Sequence, residues 1–178
     1  MERIDTFLKF LLSWEGGFCN VKGDRGGATN MGVTIATWKK VGYDKDGDGD
    51  IDVQDLRLLT TEDVRDQVLR PYYWNRWKAD QIKDPYIAYI LVDWVWGSGK
   101  WGIVYAQRIL GVKDDGIVGP KTLAALNSCE PRELFAKLWE RRERHFRSVA
   151  SQPGQSKFLK GWLRRLGCIQ YGKLILNH

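Results

Sequence analysis

The 178-residue sequence is poor in the residues that build covalent or thiolate frameworks, with three cysteines (Cys19, Cys129, Cys168) and two histidines (His145, His178). Cysteines so few and so scattered exclude a disulfide scaffold or a zinc site, and the thiols are expected to be buried or idle in a reducing compartment. A thiol nucleophile would need a histidine partner. The two histidines fall in a basic stretch and at the chain end, so thiol catalysis is not expected. No apolar run approaches the roughly 20 residues of a membrane span. Glu2, Arg3 and Asp5 interrupt any secretory signal and no small-residue cleavage site follows, so synthesis in the cytoplasm is expected. Internal repeats, low-complexity segments and long linkers are also missing.

What is present points to a folded chain. Hydrophobic residues make up 43% and tryptophans number nine, enough for one good core. Net charge is +6, with 28 basic against 22 acidic residues. Six of the acids lie between Asp44 and Asp55, so the remainder is more basic still. Such a surface suits a polyanion: nucleic acid, anionic lipid, or a bacterial wall with its carboxylates and phosphates. A nucleic-acid reading lacks a motif, because the aromatics fall at core spacing and no Gly-rich phosphate loop occurs.

The chain is organised around Ser13 to Thr34. Ile4, Phe7, Leu8 and Leu11 recur at helical spacing, and Gly16-Gly17 stops that helix. Glu15 then falls in the last turn, beside backbone that bends freely and lets a ligand come close. The negative end of the helix dipole favours a protonated carboxyl there, and shielding by Trp14 or Phe18 acts the same way. A carboxylic acid kept protonated near neutral pH can serve as a general acid. Asp24 follows, then Gly26-Gly27 and Thr29, which read as a tight hairpin with Val33. Acid, carboxylate and hydroxyl could converge on one cleft. An isolated E-G-G reads as a solvated helix end followed by turns.

A helix over Ile35 to Val41, closed by Gly42, leads into D-K-D-G-D-G-D-I-D-V-Q-D. Asp44, Asp46 and Asp48 take positions one, three and five of a twelve-residue calcium loop. Gly49 is the turn glycine and Asp50 the backbone-carbonyl position, with Asp52 ninth and Asp55 twelfth. Uncompensated carboxylates so dense repel one another, and a bound hard cation relieves that. Asp at the last position, where Glu is usual, has a shorter reach. The run also resembles a single dockerin repeat, whereas dockerins pair two. Calcium is expected as a structural staple; the alternative is an acidic solvated loop.

Further helices are expected from Thr60 or Thr61 with Val64, Val68 and Leu69 inward, and from Asp84-Pro85 to Gly97-Ser98-Gly99. Others follow over Trp101 to Leu110, from Pro120, over Arg132 to Ala150, and over Phe158 to Leu166. The Tyr72, Tyr73, Trp74 and Trp77 cluster reads as core or as a sugar subsite. Asp80 has no assigned role. Arg141, Arg142, Arg144, His145 and Arg147 read as a solvated helix face, or one that holds an anionic polymer.

The pattern Glu15, Gly16, Gly17, Asn20, Asp24, Gly26, Gly27, Thr29, Gly32 and Thr34 resembles the N-terminal signature of the glycoside hydrolase family 108 muramidases. Some of these carry the label secretion activator protein. It is similar, more distantly, to phage-type lysozymes. The resemblance implies Glu15 as catalytic acid, with Asp24 and Thr29 as candidates for the second group and its water. From Asp84 to Asn127, the residues Asp93, Ser98, Gly99, Gln107, Leu110 to Val112, Asp115, Gly116, Gly119 and Thr122 resemble the family's peptidoglycan-binding region. Gly97 departs from an expected Asn, and the D-D-G-I-V-G-P-K-T run also reads as an ordinary turn and helix start. The implied fold is mainly α and lysozyme-like with a short β-hairpin. Residues 1–80 would form a catalytic lobe and 81–178 a helical lobe, packed as one unit. The implied activity is hydrolysis of the β-1,4 bond between N-acetylmuramic acid and N-acetylglucosamine. The expected partner is peptidoglycan, reached by a monomer after release by a holin, lysis or another route, as an endolysin would be. The alternative is a catalytically silent wall-binding or secretion-associated protein.

Overall fold

Short polar caps decide where the helices begin. The computed structural model describes residues 2–20 and 27–178. In it, α1 (Arg3–Trp14) buries Ile4, Phe7, Leu8, Phe10 and Leu11, and the Asp5 carboxylate accepts from the Glu2 N–H at 3.1 Å at its start. β1 (Thr29–Asn30) and β2 (Val33–Thr34) pair antiparallel, with Thr29 opposite Thr34 and Asn30 opposite Val33. The Thr34 hydroxyl caps α2 (Ile35–Val41), which ends at Gly42. α3 (Val53–Arg57) opens on Asp52 and Asp55, the last two acids of the acidic run. Thr60 caps α4 (Thr61–Asp63), which continues as a π-helical segment from Val64 to Trp74 with Pro71 inside it. Proline inside an α-helix removes a hydrogen bond and meets the carbonyl four residues back. Here the wider winding carries the chain across it.

The chain divides into two compact units, one up to Tyr72 together with Asn177–His178, the other Tyr73–Leu176. The second is built on α5 (Pro85–Ser98), capped by Asp84 and buried at every position from Ile87 to Val95. α6 (Trp101–Leu110) and α8 (Pro131–Ala150) pack on it. Gly102 allows the close approach of α6: a Cβ there would lie 2.8 Å from the carbonyl carbon of Trp94 and from the Val95 nitrogen. α7 (Pro120–Ser128) and α9 (Leu159–Gly167) complete the helices. A terminal hairpin, β3 (Ile169–Gln170) with β4 (Lys173–Leu174), was not expected from the sequence. The architecture is mainly α and lysozyme-like, as expected.

One expectation is corrected and two open alternatives are narrowed. Arg142, read as part of an outward face of α8, is 2% exposed. Its Nη2 donates to Asp93 Oδ2 at 2.7 Å, and Arg165 Nη2 donates to Asp93 Oδ1 at 2.7 Å. Burial pushes the Asp93 carboxyl up, but the guanidiniums of Arg165 and Arg142 outweigh it and hold it below its ordinary range. Of the aromatic cluster read as core or as a sugar subsite, Trp74 and Trp77 are fully buried, which bears out the core reading for these two. Cys19 and Cys129 are exposed, not buried.

Candidate active site

Glu15 is the residue at which α1 gives way to extended backbone (φ −91°, ψ 144°), and it is partly exposed. The following segment pairs with the hairpin. Cys19 and Thr29 exchange N–H···O bonds of 2.8 Å, and the Met31 N–H donates to the Gly16 carbonyl at 3.1 Å. Met31 (φ 50°) and Gly32 (φ 79°) are both left-handed, the pattern two-residue hairpin turns need to match strand twist. Gly32 also lacks room for a side chain: a Cβ would fall 2.8 Å from Glu15 Cδ and 2.9 Å from Oε2. The Glu15 carboxyl therefore rests on the turn, next to the unit's small β assembly, where Thr29 is partly exposed. Asp24 lies outside the described residues.

The hairpin is tied in turn to α3. The buried Asn30 side chain donates from Nδ2 to the Leu56 carbonyl at 2.8 Å. The Arg57 guanidinium lies 4.0 Å over the Phe18 ring. Because α3 begins on Asp52 and Asp55, the acidic loop, this short helix, Asn30 and the Glu15 turn form one continuous chain of contacts. Asn30 was not singled out in the sequence; an asparagine beside a strand turn is a weak signal, and its acceptor lies 26 residues away.

The acidic loop gathers its carboxylates into two groups of three. Gly49 sits at φ 99°, and the Asp44 carboxylate accepts from the Gly47 and Gly49 N–H groups at 2.6 and 2.9 Å. Carboxylate oxygens of Asp44, Asp46 and Asp48 lie within 4.8 Å of one another, as do those of Asp50, Asp52 and Asp55. Asp55 is buried, and N–H groups of Asp52 and Lys45 hold its carboxyl below the ordinary range. Desolvation and the neighbouring carboxylates raise Asp46, and Asp48 is the main cause that raises Asp50. The loop's one lysine does not relieve this, because Lys45 Nζ is 2.6 Å from Asp63. An all-oxygen donor set with repelling charges fits a hard divalent cation such as calcium.

Elsewhere the structure gives structural work to several residues singled out in the sequence. Asp80 accepts from Trp74 Nε1 at 2.9 Å. Buried Gln107 donates to the Ile117 carbonyl and accepts from the Gly116 N–H, each at 2.9 Å, and its Nε2 lies 3.3 Å from both Thr122 Oγ1 and Asp115 Oδ1. These residues hold the loop between α6 and α7.

With this geometry in place, comparison with known proteins is decisive for the family. A family model described as "Glycosyl hydrolase 108" matches residues 8–99, from the middle of α1 through α5. The chain belongs to the glycosyl hydrolase 108 family. A second model, described as "Predicted Peptidoglycan domain", matches residues 101–167 of this family member, from α6 through α9. Among solved structures it is similar to "Structure of Brucella abortus SagA", with a TM-score of 0.75 and 27% identity over 93% of this chain and 90% of that one. No curated protein matches the sequence. Among the described residues no helix is long and apolar enough to cross a membrane.

Proposed function

We propose that this glycosyl hydrolase 108 member is a muramidase, cleaving the β-1,4 bond between N-acetylmuramic acid and N-acetylglucosamine in peptidoglycan. The seat of Glu15 carries the reading: a partly exposed residue at a helix end, its carboxyl resting on a turn whose glycine leaves it space. Glu15 gives its proton to the glycosidic oxygen as the bond to the anomeric carbon breaks, so the departing sugar leaves as an alcohol. Asp24 is assigned the second carboxylate, stabilising the oxocarbenium-like charge or taking a proton from the water that adds to the anomeric carbon. Thr29 is assigned to hold that water. Asp44, Asp46, Asp48, Asp50 and Asp55 are assigned to calcium, Asp50 through its carbonyl. Bound calcium would neutralise the loop that leads into α3, to which Asn30 ties the turn beneath Glu15.

Mass spectrometry of purified peptidoglycan after digestion tests this function. Fragments with reducing N-acetylmuramic acid ends are expected. Reducing N-acetylglucosamine ends would keep the hydrolase and move the bond. No products from folded, calcium-supplied protein would favour a silent wall-binding or secretion-associated role.

A further inference from the structure

The polar residues of the α6–α7 loop are occupied with holding that loop, which leaves open what surface of residues 101–167 meets the wall. One surface stands out. Trp101, the first residue of α6, is 42% exposed and stacks on Tyr105, ring centroids 5.5 Å apart at 27°. Tyr105 stacks in turn on buried Trp94 at 5.9 Å and 22°. Three rings thus run from the core to the surface, so the outermost is held rigidly. Cations surround the column. The Arg141 guanidinium lies 3.7 Å over the Tyr105 centroid, with Arg108 at 5.5 Å, and Lys100 Nζ lies 5.6 Å over Trp101. Arg108 is paired with Asp114 at 2.7 Å. Among the described residues, Lys100 and Arg141 have no carboxylate partner. The positive character reaches His145, 5.2 Å from Tyr105, whose imidazole burial, then Arg141 and Arg142, hold below its usual range.

We propose that Trp101, Lys100 and Arg141 form the wall-binding face of this domain. The apolar face of a sugar ring packs on Trp101, while peptide carboxylates carried by the glycan pair with Lys100 and Arg141. The proposal rests on the peptidoglycan reading above. A flat ring already immobilised by stacking loses little freedom when a ligand covers it. Cations without a carboxylate partner beside these rings match an anionic glycan. A neutral polysaccharide would use the ring alone, and a polyphosphate the cations alone.

The test is co-sedimentation of the full chain with purified sacculi stripped of covalently attached phosphate polymers, at 4 °C to slow hydrolysis. Trp101→Ala is expected to weaken binding about tenfold or more, and Trp101→Phe to recover part of the loss. Arg141→Gln is expected to weaken binding several-fold and flatten its salt dependence. Melting temperatures of all three are measured alongside; if Trp101→Ala unfolds, the other two carry the test. Unchanged binding by folded Trp101→Ala or by both other variants overturns this face and leaves the muramidase reading standing. Tighter binding to free phosphate polymer or single-stranded DNA than to stripped sacculi, weakened by the same variants, also overturns it. Failure of the unaltered protein to bind sacculi at all removes the peptidoglycan reading and this face together.

Discussion

Glu15 ends α1 partly exposed, its carboxyl resting on the backbone of Gly32. Asp93 lies in the middle of α5 with no exposed surface, its two oxygens taken by Arg142 and Arg165. Both are acids within the stretch that matches the family model, one buried in a helix and the other partly exposed at a helix end. Asp93 is fixed by its own ion pairs, which leave it no proton to give. At Glu15 the turn leaves the space: a side chain at position 32 would run into the Glu15 carboxyl.

Substitution at Asp93 should show the larger structural effect. Asp93→Ala leaves Arg142 buried without its partner and is expected to cost about 3–5 kcal/mol in urea unfolding. Because folding depresses the Asp93 pKa, its contribution is complete above the unfolded value near 4 and is lost as pH falls through the lower folded value. The gap between the unaltered protein and Asp93→Ala should therefore narrow only in strong acid. A gap that instead narrowed between pH 6 and 8 would mean another group is responsible.

Gly32→Ala should reverse the pattern. Left-handed backbone costs alanine about 1–2 kcal/mol, but the new methyl displaces the Glu15 carboxyl, and kcat is expected to fall about 100-fold. Equal losses of stability and turnover in both variants would erase the distinction between the two carboxylates. Calcium at about 100 times its Kd should stabilise the protein by about 2.7 kcal/mol. Asp44→Ala/Asp48→Ala should lose that response in a thermal scan, and stability that ignores both calcium and chelator in the unaltered protein would refute the loop assignment. Asn30→Ala, which leaves the Leu56 carbonyl without its donor, should cost about 1–2 kcal/mol. It should also make turnover less dependent on calcium, measured as the activity ratio with and without chelator.

Much of the helical frame was legible because its signals are local. Asp84-Pro85, Gly119-Pro120 and Glu130-Pro131 start helices, and Gly42 and Gly111 end them, within a few residues of one another. The place of Glu15 at the end of α1 was legible for the same reason. What was lost is what depends on distant partners. Arg142 has the spacing of an exposed face, and only Asp93, 49 residues earlier, accounts for its burial. Trp101 reads like any core tryptophan, since exposure depends on what packs around the start of α6. The terminal hairpin did leave a trace: Gly172 takes φ 91° in a Tyr-Gly turn between Ile169-Gln170 and Lys173-Leu174, a two-residue signal too brief to weigh against the neighbouring helix.

The most direct measurement is the steady-state release of reducing ends from peptidoglycan by Glu15→Gln, with its melting temperature taken in the same buffer and calcium. The amide keeps the size of the carboxyl but has no acid proton, so kcat should fall about 10²–10⁴-fold with the melting temperature unchanged. A folded Glu15→Gln that turns over as fast as the unaltered enzyme would show that the acid on the Gly32 turn is not the one that cleaves the wall.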